Sequence, residues 1–147
     1  MASRTPPIPM ANPFEGSFEV QVGAVLQYLA VRRGTSDEGV QPLPSAASAV
    51  SDGIEIEGVA QRDGNLGEWI GVRYFGTTWA IAAEAITRDD PLEAVSTVAA
   101  ATNGRMGRIL PAAILAPPKM IAGIALENAN TNTIFKMFLT RHVQVNG

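Results

Sequence analysis

The chain contains no cysteine, a single histidine and no cluster of lysine or arginine. Without cysteine there is no disulfide, no thiol nucleophile and no zinc-thiolate site, so the fold must stand on packing alone. Any imidazole-based triad would have to be built on His142, whose chain neighbours Arg141 and Val143 bring no carboxylate to orient it. It reads as a structural residue beside a terminal strand. Arg32-Arg33 is the only basic pair, and with a net charge of −3 the chain lacks the gathered cations that neutralise phosphate, so direct nucleic-acid binding is not expected. Long apolar runs are missing too. The stretch from Ile109 to Ala116 is broken by Pro111 and falls far short of the ~20 residues that span a bilayer, so no membrane partner is expected. The first thirteen residues hold prolines instead of an apolar signal core, and synthesis in the cytoplasm is expected.

The remaining composition describes a globular chain. Hydrophobic residues make up 46% of 147 and charged residues only 17%, which suffices for one core and leaves apolar surface for a partner subunit to cover. Paired acids occur at Asp37-Glu38, Glu55/Glu57 and Asp89-Asp90. Glu55 and Glu57 fit a solvated strand face, and Asp89-Asp90 before Pro91 fits a turn. Gly64, Gly67 and Gly71 lack the Lys-Ser/Thr of a phosphate loop. With no nucleophile beside a base, no metal cluster and no cofactor loop, the reading is a protein with no catalytic residues and no cofactor, not an enzyme.

The strongest positive signal is a repeat. Gly58-Val59-Ala60 through Trp69-Ile70-Gly71-Val72-Arg73-Tyr74 and Gly123-Ile124-Ala125 through Ile134-Phe135-Lys136-Met137-Phe138-Leu139 follow one template at a constant offset of 65 residues. It pairs Val59 with Ile124, Ala60 with Ala125, Ile70 with Phe135, Val72 with Met137 and Tyr74 with Leu139. Each copy reads as a β-hairpin: a short apolar strand after a glycine, a polar turn, then an alternating strand. Asp63-Gly64 is the expected turn of the first copy, since both residues tolerate φ > 0. The alternation over 54–60 puts Ile54, Ile56, Gly58 and Ala60 on one face and Glu55, Glu57 and Val59 on a wet one.

Elsewhere, 18–33 reads as two strands or one strand bent at Gly23, and Thr78 to Ala82 as a third strand in meander order. Residues 42–51 read as loop, with room for one helical turn. The segment 90–102 is poised between a helix capped by Asp90 with Pro91 at its first position and a strand favoured by Val95, Thr97 and Val98. Arg141 to Val145 reads as a last strand. The fold class is mainly β, a small barrel or sandwich of hairpins with at most one or two short helices. Residues 17–147 form one domain, and 1–16 an extended proline-rich arm. In that arm Pro6, Pro7, Pro9 and Pro13 favour polyproline II, and two readings stand side by side: a disordered tail, or an arm whose apolar anchors Ile8, Met10 and Phe14 contact a neighbouring subunit or a larger assembly. Trp69, Tyr74, Phe75 and Trp79 are close in sequence and form a candidate aromatic contact cluster, in a core, at a subunit contact or as a stacking platform.

The segments Gly58 to Phe75, Ala-Ile-Thr-Arg-Asp-Asp-Pro-Leu at 85–92 and Ile121 to Leu139 together resemble the head decoration, or capsid cement, proteins of tailed bacteriophages. The second copy departs from the pattern with Asn132-Thr133 where the first has Gly67-Glu68. The resemblance implies a compact, often trimeric β domain that binds the outside of an expanded phage capsid through the major capsid protein and braces the head against internal DNA pressure. It implies no catalytic residues, and it makes the capsid the assembly that the arm would contact. The alternative function is a small-ligand or carbohydrate-binding β module of a phage accessory protein, suggested by the aromatic cluster.

Overall fold

The structure is a computed structural model that describes residues 14–43, 50–52, 56–97, 103–109 and 119–144. Among the described residues it contains eleven strands and no helix: β1 (Glu15–Val20), β2 (Ala30–Arg33), β3 (Gly39–Pro42), β4 (Val50–Asp52), β5 (Gly58–Ala60), β6 (Trp69–Arg73), β7 (Gly76–Ile81), β8 (Pro91–Thr97), β9 (Arg105–Arg108), β10 (Lys119–Ala125) and β11 (Ile134–Gln144). Strands β1, β3, β2, β5 and β6 close into a barrel, with β1 returning to pair with β6. Strands β4, β8, β10, β11 and β7 form a second sheet, and β9 pairs with β8.

The repeat in the sequence is half of a larger one. In the first half β1 pairs with β6, β2 with β3 and β5, and β5 with β6, all antiparallel. The second half repeats this with β7–β11, β8–β9, β8–β10 and β10–β11. Even the one parallel contact recurs, Val20 beside Val40 and Ala82 beside Met106. Four loops join equivalent strands: residues 21–29, 61–68, 82–90 and 126–133. They cross in pairs. The amides of Val25 and Gly64 bond each other's carbonyls at 2.9 and 3.0 Å, and those of Ile86 and Ala129 do the same at 2.8 and 2.9 Å.

Three positions after each crossing residue the backbone takes a left-handed conformation, at Tyr28 (φ 66°), Gly67 (88°), Asp89 (74°) and Asn132 (64°). Glycine, aspartate and asparagine adopt it at small cost. Each of these residues donates its N–H to the point where a strand passes into the partner loop: Tyr28 to Ala60, Gly67 to Val20, Asp89 to Ala125 and Asn132 to Ala82, at 2.7–2.9 Å. The residue after each accepts the N–H of that same residue. Polar loop side chains complete the pattern, with Asp63 Oδ1 accepting from the Gln27 N–H and Asn128 Oδ1 from the Arg88 N–H, both at 2.8 Å.

The cores match as well. The barrel interior is Val20, Val25, Val31, Val40, Ala60, Ile70 and Val72, with Phe18 packed against it. Their topological equivalents Ala82, Ile86, Leu92, Met106, Ala125, Phe135 and Met137 all lie in the second core. Volume is traded between positions: Phe18 and Val20 give way to Ala80 and Ala82, while Ile70 and Val72 become Phe135 and Met137, which keeps the interior filled. Ala30, Leu43, Ile56 and Val59 of the first half are buried in this second core, so the halves share it. Arg141 ties them further. It is left-handed (φ 48°) at a bulge where the β10–β11 register shifts, and it donates to the Tyr74 and Glu57 carbonyls, both at 2.9 Å.

Several expectations are corrected. The crossing residue Gly64 pairs with Val25 and neither it nor Asp63 has positive φ; the left-handed position is Gly67, because the loop must reach across to its partner and does not close as a two-residue turn. Val59 is fully buried: the face that looks wet along β5 is covered by the second half. β7 pairs with β11, not with β6, so the meander is absent. Residues 91–97 are strand, since Asp90 closes a turn backwards onto the Thr87 N–H (2.8 Å) and residues 92–96 are all buried between β9, β10 and β4. Residues 141–144 continue β11 instead of forming a separate strand. Ser45 to Ala49, Ile54, Glu55 and Val98 lie outside the described residues.

Two predictions follow from this frame. A methyl group added at Gly67 meets nothing within 4 Å, so Gly67→Ala should cost only the left-handed conformational penalty, about 1–2 kcal/mol by chemical denaturation. At Gly123 the same group collides with the Phe138 backbone, and Gly123→Ala should cost more than Gly67→Ala. Asp63→Ala and Asn128→Ala each remove one loop-to-loop hydrogen bond of the same geometry, and each should lower stability by about 1 kcal/mol. A large inequality between those two would show that the crossings are not energetically equivalent.

Candidate interaction surface

Strand alternation on β11 sends Phe135, Met137 and Leu139 into the core and leaves Ile134, Lys136 and Phe138 on the outer face. β7 lies antiparallel beside it with Thr78 and Ala80 inward. Its outward residues sit in register with those of β11: Ile81 opposite Ile134, Trp79 opposite Lys136 and Thr77 opposite Phe138. Ile124 of β10 pairs with Phe138 on its other side. At the edge, Phe75 packs edge-on against Phe138 with centroids 5.4 Å apart, and Phe14 packs edge-on against Phe75 at 5.0 Å. The Phe14 carbonyl accepts the Tyr74 N–H at 2.9 Å, which fixes where residue 14 enters this row. Trp79, Ile124, Ile134, Phe14 and Phe75 are exposed. The one charge on the face, Lys136, stands 5.4 Å from the Trp79 ring centroid in a cation–π contact.

The first half supplies an internal control. Its equivalent face pairs Glu19 with Trp69, Ser17 with Gly71 and Glu15 with Arg73. The Arg73 guanidinium there meets the Glu15 carboxylate at 2.9 Å. Two copies of one backbone therefore present a polar, ion-paired face and an apolar one. The backbone bonds are satisfied identically in both, so the fold does not require the apolar face. A run of exposed isoleucine, tryptophan and phenylalanine on one sheet is what a partner surface needs.

The expected aromatic cluster separates into distinct sites. Phe75 and Trp79 join the apolar face, Tyr74 lies under the Arg141 guanidinium at 5.9 Å, and Trp69 stands on the first half's polar face. Of the arm residues, Phe14 is placed as above, while Pro6, Pro7, Ile8, Pro9, Met10 and Pro13 lie outside the described residues. Glu15 and Gly16, read as arm, pair with Arg73 and Val72 as the start of β1. The acids serve the backbone or surface ion pairs: Asp90 holds the Thr87 N–H, Glu68 the Asn65 N–H, and Glu57 stands 3.9 Å from Arg33. His142 pairs with Ile121 across the β10–β11 ladder. Among the described residues no group of three His, Cys, Asp or Glu is placed to hold a metal ion.

Sequence reading missed Ile124, Ile134 and Phe138. A signal existed in the repeat itself. The inward template positions keep their character between copies, Ile70 with Phe135 and Val72 with Met137, whereas the outward ones change from Trp69, Gly71 and Arg73 to Ile134, Lys136 and Phe138. A second apolar feature lies on the first half, an open cleft of about 250 Å³ lined by Ala24, Val25, Leu26, Leu29, Val31 and Pro42 among others.

No family model and no curated protein matches this chain. A solved structure does share the fold: the head fiber gp8.5 N base of bacteriophage phi29 superposes with a TM-score of 0.58 at 16% identity, covering 86% of this chain and 93% of that one.

Proposed function

We propose that this protein is a structural component of a phage head, a decoration protein that sits on the outer surface of the capsid, binds the major capsid protein and stabilises the filled head. The observation that carries this reading is the fold shared over nearly the whole length of a phage head fiber base. The pattern resemblance to cement proteins points the same way. The architecture suits the task physically. Its rigidity comes from backbone bonds made across paired loops, so its outer faces can be devoted to contact. Many such contacts, each weak, gain large avidity when a symmetric shell repeats them. In this reading the chain is a homotrimer, has no enzymatic activity and acts outside the shell, away from nucleic acid.

Purified protein mixed with expanded, undecorated capsids should co-sediment up to a fixed number of copies per shell and raise the temperature at which the heads burst. Light scattering of the free protein should give three times the 15.5 kDa chain mass. Saturable binding is the deciding result, and absence of co-sedimentation sinks the proposal. A glycan panel read by tryptophan quenching is the counter-test, since a specific response there would favour the carbohydrate-binding alternative.

A further inference from the structure

We propose that the apolar outer face of β7 and β11 is the docking groove for the chain's own N-terminal segment, residues 1–13. The face has an entry point. Phe14, the residue that follows this segment, already lies in the row Phe14–Phe75–Phe138 and is held there by the hydrogen bond from the Tyr74 N–H to its carbonyl. The segment therefore reaches the protein at the border of the exposed face.

Length and chemistry both fit. Along β11, the Trp79/Lys136 row lies two residues beyond Phe138 and the Ile81/Ile134 row four, or ~7 and ~14 Å at the rise of a strand. Met10 and Ile8 precede Phe14 by four and six residues, or ~12 and ~19 Å at the rise of polyproline II. Both anchors can thus reach the two rows from the same protomer. Thr5 to Pro13, the part that holds both anchors, carries no charge, so laying it over Trp79, Ile134 and Ile124 buries no unpaired ion; Arg4 lies beyond the last anchor, Ile8, and Lys136 keeps its partner ring. Pro6, Pro7, Pro9 and Pro13 lack N–H groups, so the segment suits a face read by side chains and is poorly made for adding a strand: β11 has both its edges taken by β7 and β10, and a proline-rich segment could not form a regular ladder on the outer edge of β7. The equivalent face of the first half, with its Glu15–Arg73 ion pair, offers no such bed. The idea stands apart from the proposed capsid role and concerns the free protein.

The two tryptophans, one on each face, make the test. In a Trp69→Phe protein, where Trp79 is the only indole, deletion of residues 2–13 should shift emission to longer wavelength and raise the acrylamide quenching constant roughly twofold, as expected when an apolar segment leaves an aromatic anchor. The same deletion in a Trp79→Phe protein should leave Trp69 unchanged. A full-length Ile8→Ser/Met10→Ser protein should reproduce the Trp79 effect without any truncation. Unaltered Trp79 quenching overturns the proposal, as does an equal change at both tryptophans, which would report general loosening. A Trp79 effect that vanishes on dilution of the intact protein would place the segment on a second copy and overturn the assignment to its own protomer.

Discussion

The structure depends on one interaction made twice: two loops that cross and exchange backbone hydrogen bonds, Val25 with Gly64 and Ile86 with Ala129. A loop of eight or nine residues would ordinarily be surface chain with water for partners. Here each crossing gives a loop N–H a fixed acceptor in the other loop, and the left-handed residue three positions on turns its own N–H onto the neighbouring strand end. Loop amides are thereby satisfied in a region without regular ladders, and at the buried crossing residues Val25, Gly64 and Ile86 leaving one unpaired would cost about 1–3 kcal/mol. Because the bonds are reciprocal, neither loop of a pair can adopt its conformation without the other. Strands distant in sequence, such as β1 and β6 or β7 and β11, are brought together by the same event.

The two halves then solve a shared problem. A five-stranded barrel as small as the first half has little interior, and its outer surface at Ala30 and Val59 is apolar. Laying the second half over that surface buries both and joins them to Phe135, Met137 and Leu139 in a larger core. Arg141 contributes from the opposite direction: a bulge in β11 frees its guanidinium to hold the carbonyls of Tyr74 and Glu57, the first in the link between halves and the second just before β5. The chain is thus duplicated in pattern but not divisible in energy.

How much of this was legible in the sequence follows from the physics of each feature. The 65-residue offset was legible because inward side chains must keep their volume class, and the offset holds in three dimensions at Ala60/Ala125, Gly64/Ala129 and Gly67/Asn132. The other two loops were not, because they are held by backbone bonds that nearly any side chain permits: Tyr28 and Asp89 occupy the left-handed position without sharing any recognisable character. The Asp63-Gly64 pair misled for a related reason. A dipeptide that would close a hairpin in isolation is here overruled by the partner loop, and the glycine serves close packing against Val20, Val25 and Ile70 instead of positive φ. Val59 was misread because alternation reports which residues share a face, not what covers it.

The apolar face was hidden by the same logic, and the reason bears on how such a fold acquires a function. Since the backbone frame satisfies itself, outward positions of the strands are nearly free of structural duty. Glu15, Ser17 and Glu19 on one copy and Thr77, Trp79 and Ile81 on the other sit on the same scaffold with the same registers. Exposed isoleucine and phenylalanine lower solubility and contribute nothing to the frame, so a continuous row of them beside Trp79 on one copy, where the other copy sets Trp69 among Glu15, Ser17, Glu19 and Arg73, calls for something that covers it. In a duplicated protein that asymmetry is informative without any homologue: positions alike in both halves specify the fold, and positions that differ on the surface mark where the two halves have separate work to do.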